Sequence, residues 1–142
     1  MDSDLCDLGR AKRGYFKAAE GVSSLSDHRC QIGCVVVKNH RIISSGHNSK
    51  DVTHAFQARI DKRYFGVECR GVLHAETCAL LPLIRNRVDL SNATIYVYRQ
   101  TRDGNISMSR PCPRCMSVIK QCGIKNINYT TPDGYASESI KY

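Results

Sequence analysis

The sequence predicts an α/β protein, with a central mixed sheet covered by helices on both faces in three layers. Three observations lead there. Segments of helical periodicity and short β-branched segments follow one another as helix, strand, strand, loop, helix, strand, helix, strand. The first two strands are separated by a turn of three residues, Lys38-Asn39-His40, and so form a hairpin. The length, 142 residues, suits one domain with a single core (1–142, core about 12–130, then a C-terminal tail).

The first helix is expected from about Leu5 to Leu25, where Leu8, Ala11, Tyr15, Ala18 or Ala19, Val22 and Leu25 recur every three or four positions. Arg10, Lys12, Arg13 and Lys17 lie mostly off that stripe and read as a solvated face. Gln31 to Val37, with its Val35-Val36-Val37 run, is the first strand, and Arg41 to Ser45 the second. Gly46-His47-Asn48 breaks the pattern. The stretch 49–70 is irregular, basic and partly aromatic, with room for a short helix over Ala55 to Tyr64; long loops of this kind often form lids or specificity elements. A helix runs from His74 to about Arg85, with Leu73, Thr77, Leu80, Leu81 and Ile84 on its apolar side and Pro82 expected to kink it or shift its end. Thr94 to Tyr98 is a strand, Arg102-Asp103-Gly104-Asn105 a turn, and Pro113 to Cys122 a helix capped by Gly123. Asn126 to Thr130 is the last predicted strand, and Thr131 to Tyr142 a polar tail.

Composition narrows the function classes. Hydrophobic residues make up 42% and charged residues 24%, which reads as globular and soluble. No run of about 18 apolar residues predicts a membrane span, and the start Met1-Asp2-Ser3-Asp4 is not that of a secretory signal. The eight cysteines are therefore expected in a reducing, cytoplasmic setting as free or metal-bound thiols. Cys6, Cys30, Cys34, Cys69, Cys78 and Cys122 read mostly as small buried hydrophobes. The net charge of +8 suits an anionic partner, either a nucleotide phosphate or a nucleic-acid backbone, without choosing between them.

Two fragments carry chemistry: His74-Ala75-Glu76 and Pro111-Cys112-Pro113-Arg114-Cys115. His74, Cys112 and Cys115 supply three ligands suited to zinc, and three protein ligands leave the fourth tetrahedral position open, as in catalytic rather than structural sites. Both fragments fall at predicted helix N-termini, whose free N–H groups favour the thiolate form that binds metal. Glu76 is well placed to handle protons beside the metal, and a structural zinc site has no use for it. The pattern H-x-E followed by P-C-x-x-C resembles that of the zinc nucleobase deaminases, the cytidine and deoxycytidylate deaminase superfamily, over roughly residues 12–130.

The resemblance implies a cytidine-deaminase-like fold and a zinc-dependent hydrolase acting on the C–N bond of a cyclic amidine. Deoxycytidylate would become deoxyuridylate and ammonia. A zinc-generated hydroxide would attack C4, with Glu76 moving protons from the water to ring N3 and the departing amino group. It also implies that Asn48, after the second strand, bonds the nucleotide's sugar and that the Ala75 N–H binds the base carbonyl. Ser109, Arg110 and Pro111 lie in the loop that shapes the base pocket, and the segment Met108-Ser109-Arg110-Pro111-Cys112 departs from the family's usual Thr-x-x-Pro-Cys. Arg110 there either binds phosphate or sits on the surface. A homo-oligomer is expected by the same resemblance.

Two other readings stand beside the free-nucleotide enzyme. One is a deaminase of tRNA adenosine or single-stranded cytosine, with Tyr64, Phe65 and Tyr135 as candidate stacking residues. The other is a non-catalytic zinc-binding module. His28, His40, His47 and His54 read as surface or loop residues, and a second zinc among Cys30, Cys34, His47, His54, Cys69 and Cys78 is the less favoured reading.

Overall fold

Strand β1 (Gln31–Lys38) is buried without interruption from Gly33 to Val37, because both of its faces are covered. Val35 and Val37 face one apolar cluster, and Cys34 and Val36 face the other. The computed structural model describes residues 9–49, Arg59 and 74–141. Its elements are α1 (Arg10–Ser23), β1, β2 (Arg41–His47), α2 (Ala75–Arg85), β3 (Thr94–Gln100), α3 (Pro113–Gln121), β4 (Asn126–Thr131) and β5 (Gly134–Ser139).

The sheet is mixed and five-stranded, in the order β2-β1-β3-β4-β5. β3 and β4 pair in parallel and the other neighbours are antiparallel. The β1–β2 loop is the two-residue kind, with Asn39 (φ 52°) and His40 (φ 63°) both in the left-handed region that a type I′ turn requires. α1 covers one face, where Phe16 meets Tyr96 edge-on at 5.3 Å and Tyr135 at 4.4 Å. α2 and α3 cover the other, contributing Ala79, Leu80, Leu83, Met116 and Ile119 to the larger cluster. The three-layer expectation thus holds. Among the described residues no helix is long and apolar enough to cross a membrane.

Three boundaries or faces differ from the sequence reading. The buried face of α1 is Phe16, Ala19 and Ser23, while Leu25 lies beyond the helix and is 69% exposed. β2 runs on through Gly46 and His47, because the absent side chain at Gly46 lets the backbone of α2 approach. As expected, α2 runs to Arg85, with Pro82 exposed inside it. The predicted tail contains β5, turned back onto β4 by Pro132-Asp133. Cys34 is a core residue and Cys122 packs against the same cluster, as expected of small hydrophobes. The helix proposed over 55–64, Leu73, and Cys6, His54, Tyr64, Phe65 and Cys69 lie outside the described residues.

Candidate active site

β2, β3 and β4 run in the same direction, since β1 is antiparallel to both β2 and β3. Their C-terminal ends therefore share one edge of the sheet, the place where open α/β folds bind ligands. α2 and α3 begin there. His74 is the residue before α2, with extended backbone (φ −85°, ψ 154°), and its carbonyl accepts the first helical bond, from Cys78 N–H at 2.9 Å. Cys112 holds the same position before α3, bonded to Met116 N–H at 2.8 Å, and Pro113 fits the first helical position because its missing N–H is not needed there.

This places three ligand groups together. Nδ1 of His74 lies 3.6 Å from Cys112 Sγ and 3.3 Å from Cys115 Sγ. A tetrahedral ion with Zn–S near 2.3 Å and Zn–N near 2.0–2.1 Å separates nitrogen and sulfur by roughly 3.5 Å, so the donors are spaced to receive zinc. Among the described residues these are the one group of His, Cys, Asp and Glu placed to hold a metal, with ligand atoms within 4.8 Å of one another. Cys115 gives its hydrogen bond to Cys112 and holds that thiol down to about 4, with His74 adding to the effect against burial. Cys115 is correspondingly pushed up, by that bond first and by burial second.

Glu76 sits one residue inside α2 and is 5% exposed. Burial raises its carboxyl above the usual range, and the negative charge at Cys112 adds to the rise. A cleft of about 280 Å³ brings Glu76, His74, Ala75 and Cys112 together with Asn48, Ser109 and Arg110. Ala75 opens α2, where the backbone N–H has no intrahelical partner. Ser109 is buried, and its hydroxyl donates to the Val97 carbonyl at 2.7 Å and accepts the Thr130 N–H at 2.7 Å. Ser109 thus bridges β3 and β4 just beyond their last paired residues, Val97 and Tyr129. Pro111 is also buried but does not line the cleft.

Residues 11–131 match the family model of the cytidine and deoxycytidylate deaminase zinc-binding region. The chain belongs to that family. It is 35% identical over 118 residues to the "uncharacterized deaminase in luxG 3′ region" of Aliivibrio fischeri, covering 82% of this chain and 69% of that one. It is 31% identical over 128 residues to the deoxycytidylate deaminase of Mycobacterium phage D29, covering 81% and 90% respectively. The yeast (Saccharomyces cerevisiae) deoxycytidylate deaminase is also 31% identical over 135 residues, 89% of this chain but only 39% of the yeast protein. Among solved structures, the dCMP deaminase of cyanophage S-TIM5 in complex with dCMP and dUMP superposes with a TM-score of 0.63 at 26% identity, covering 87% and 83%. The cytidine deaminase of Burkholderia pseudomallei shares the fold, with a TM-score of 0.61 at 16% identity over 93% of both chains.

The deaminase cleft also contains residues that motif reading missed. Arg99, at the end of β3, donates to the Met108 carbonyl and to Cys30 Sγ, both at 3.3 Å, and His28 accepts the Cys30 N–H at 3.0 Å. Neither belongs to a recognisable motif, and only the tertiary fold brings them to the site. Tyr135, a candidate for base stacking, instead packs its ring on Phe16.

Arg110 is engaged. Its Nε and Nη2 donate to the two carboxylate oxygens of Glu138 at 2.9 and 2.8 Å, and Tyr129 donates to the same carboxylate at 3.1 Å. Glu138 is on β5, beyond the residues matched by the family model. The Arg110 hydrogen bonds, ahead of its charge, hold the Glu138 carboxyl below its usual value. A depressed folded-state value means the pair stabilises above the ordinary glutamate range and loses that contribution as pH falls through the folded value. With side chains 46% and 35% exposed, solvent screens it, and Glu138→Gln is expected to cost about 1 kcal/mol or less at pH 7. In thermal melts the gap between wild type and variant should close at acid pH; a gap that persists would assign the loss to packing.

Proposed function

We propose that the protein is a hydrolytic deaminase of a free cytosine nucleotide, with deoxycytidylate as substrate and deoxyuridylate and ammonia as products. The observation that carries this reading is a buried carboxylate, Glu76, in the same cleft as a three-ligand zinc set that leaves one coordination position for water. The deoxycytidylate deaminases among the relatives support the choice of nucleotide.

His74, Cys112 and Cys115 would hold the zinc, which as a Lewis acid lowers the pKa of a bound water toward neutrality. Glu76 accepts one proton from the water and passes it to ring N3. It then accepts the second proton from the hydroxyl now on C4 and delivers it to the amino group, so that ammonia leaves as the C4–N bond breaks and the C4 carbonyl forms. A single carboxylate can serve as base and then acid in a site closed to bulk water. The Ala75 N–H, free at the start of α2, donates to the base carbonyl and orients the ring. Asn48 holds the sugar. Ser109 acts by fixing the loop, since its hydroxyl is already bonded on both sides, and Pro111 by stiffening the entry to Cys112. Arg110 faces the polar end of the nucleotide with the three of its five N–H donors that Glu138 does not use.

Incubating the purified zinc protein with cytidine, deoxycytidine, their mono- and triphosphates, and single-stranded DNA and RNA tests the reading by ammonia release. Deoxycytidylate is expected to have the highest kcat/KM. Release from oligonucleotides alone would establish a nucleic-acid deaminase instead, and zinc retention without release from any substrate would leave a binding module.

A further inference from the structure

Asn48 follows β2 on the wall of the cleft, and its side chain is held on three sides. Its Oδ1 lies 2.6 Å from Ser26 Oγ and accepts the Ile32 N–H at 3.0 Å. Its Nδ2 donates to the Cys30 carbonyl at 2.8 Å. Ser26 Oγ also lies 2.8 Å from the backbone carbonyl of Asn48, and accepts the His28 N–H at 3.1 Å. Both residues are buried, Ser26 at 6% and Asn48 at 7% exposure.

A side-chain amide has two acceptor positions and two N–H donors. Here Oδ1 accepts the Ile32 N–H and faces the Ser26 hydroxyl, whose one proton is shared between Oδ1 and the Asn48 backbone carbonyl, while one N–H is used, so a single N–H remains. The network also fixes which end of the amide is which. Turning it over would set Nδ2 against the Ile32 N–H and Oδ1 against the Cys30 carbonyl, two repulsive contacts. Asn48 therefore offers the cleft a donor, and the ligand atom opposite must be an acceptor.

We propose that Ser26 is a positioning residue for catalysis: its hydroxyl locks the Asn48 amide so that the remaining N–H is held toward the sugar oxygen of the bound nucleotide. This rests on the nucleotide reading above. A 2′-deoxynucleotide has one free sugar hydroxyl, the 3′, so that oxygen is the acceptor. Of the three groups that hold the amide, Cys30 and Ile32 contribute backbone, so Ser26 is the one whose contribution a side chain decides. Ser26 is neither a metal ligand nor a cleft-lining residue; it reaches the cleft through the Asn48 side chain and through the backbone N–H of His28, and only the Asn48 contact bears on a sugar acceptor.

The test compares wild type, Ser26→Ala and Ser26→Thr on deoxycytidylate and on 2′,3′-dideoxycytidylate, which lacks the acceptor hydroxyl, with zinc content and melting temperature measured alongside. Ser26→Ala is expected to raise KM for deoxycytidylate about tenfold, the size of one well-placed hydrogen bond, with kcat changed less than about twofold. On the dideoxy substrate it should behave like wild type. Ser26→Thr keeps the hydroxyl and should restore most of the loss. An equal loss on both substrates would overturn the proposal, because a general loosening of the fold does not distinguish them. A wild-type protein inactive on deoxycytidylate would instead overturn the substrate reading, and with it the sugar contact.

Discussion

Glu76→Gln is expected to leave zinc in place and reduce kcat about a thousandfold, within the range of about 10²- to 10⁴-fold seen when a general acid–base is removed. Gln matches Glu in shape and can still form hydrogen bonds, but it neither accepts a proton from water nor delivers one to nitrogen. The three metal ligands are untouched, so metal analysis should return the wild-type zinc content. Stability should not fall. Burial penalises the Glu76 carboxylate, and a neutral amide in its place removes that penalty, the usual relation between activity and stability when a buried charged group serves function. Melting temperature at neutral pH is expected to equal or exceed that of wild type. Undiminished turnover would remove Glu76 from the mechanism, and loss of zinc together with activity would move it into the ligand set.

The site could be read from sequence to the extent that its chemistry is local. His74-Ala75-Glu76 and the Cys112–Cys115 spacing each describe a helix N-terminus, and a helix N-terminus fixes the direction of the ligands it begins with. What surrounds those fragments is non-local. The partners of Asn48 are a serine after α1 and two backbone groups around β1, which no local pattern reports. Arg110 gives no hint in its own segment that Glu138, on a strand of polar alternation, occupies its fork. β5 itself escaped because an edge strand with one solvated face carries little apolar signal: Tyr135 is its single large apolar side chain. Its one local signal is the turn sequence Pro132-Asp133-Gly134 directly after β4. On α1, Leu25 continued the helical spacing of the stripe but fell beyond the helix end, so that Phe16, the residue that fills the core, was passed over.

Gly46→Ala is expected to damage fold and site together. A methyl group at Gly46 would lie 2.5 Å from Ala79 N, 2.7 Å from the Ala75 carbonyl oxygen and 2.8 Å from Cys78 Cβ. The first two are backbone atoms of α2 and cannot rotate away, so the helix must lift off β2. It is also tied there by Ser44 Oγ, which donates to the Ala79 carbonyl at 2.6 Å. Overpacking of this kind costs about 3 kcal/mol or more, which melting should record as a large drop. The functional loss should exceed the loss of folded protein, because α2 carries His74 and Glu76 while the cysteines ride on α3, and a displaced α2 changes the nitrogen–sulfur spacing that suits zinc. Gly33→Ala is the matched control. Its methyl would lie 2.0 Å from the Ala19 carbonyl oxygen and 2.5 Å from Ser23 N, both on α1, across the sheet from the ligands. It should destabilise comparably yet retain zinc affinity at temperatures where it is folded. If both variants lose zinc equally when folded, the close approach at Gly46 serves stability alone; if only Gly46→Ala does, the seat of α2 on β2 sets the metal geometry.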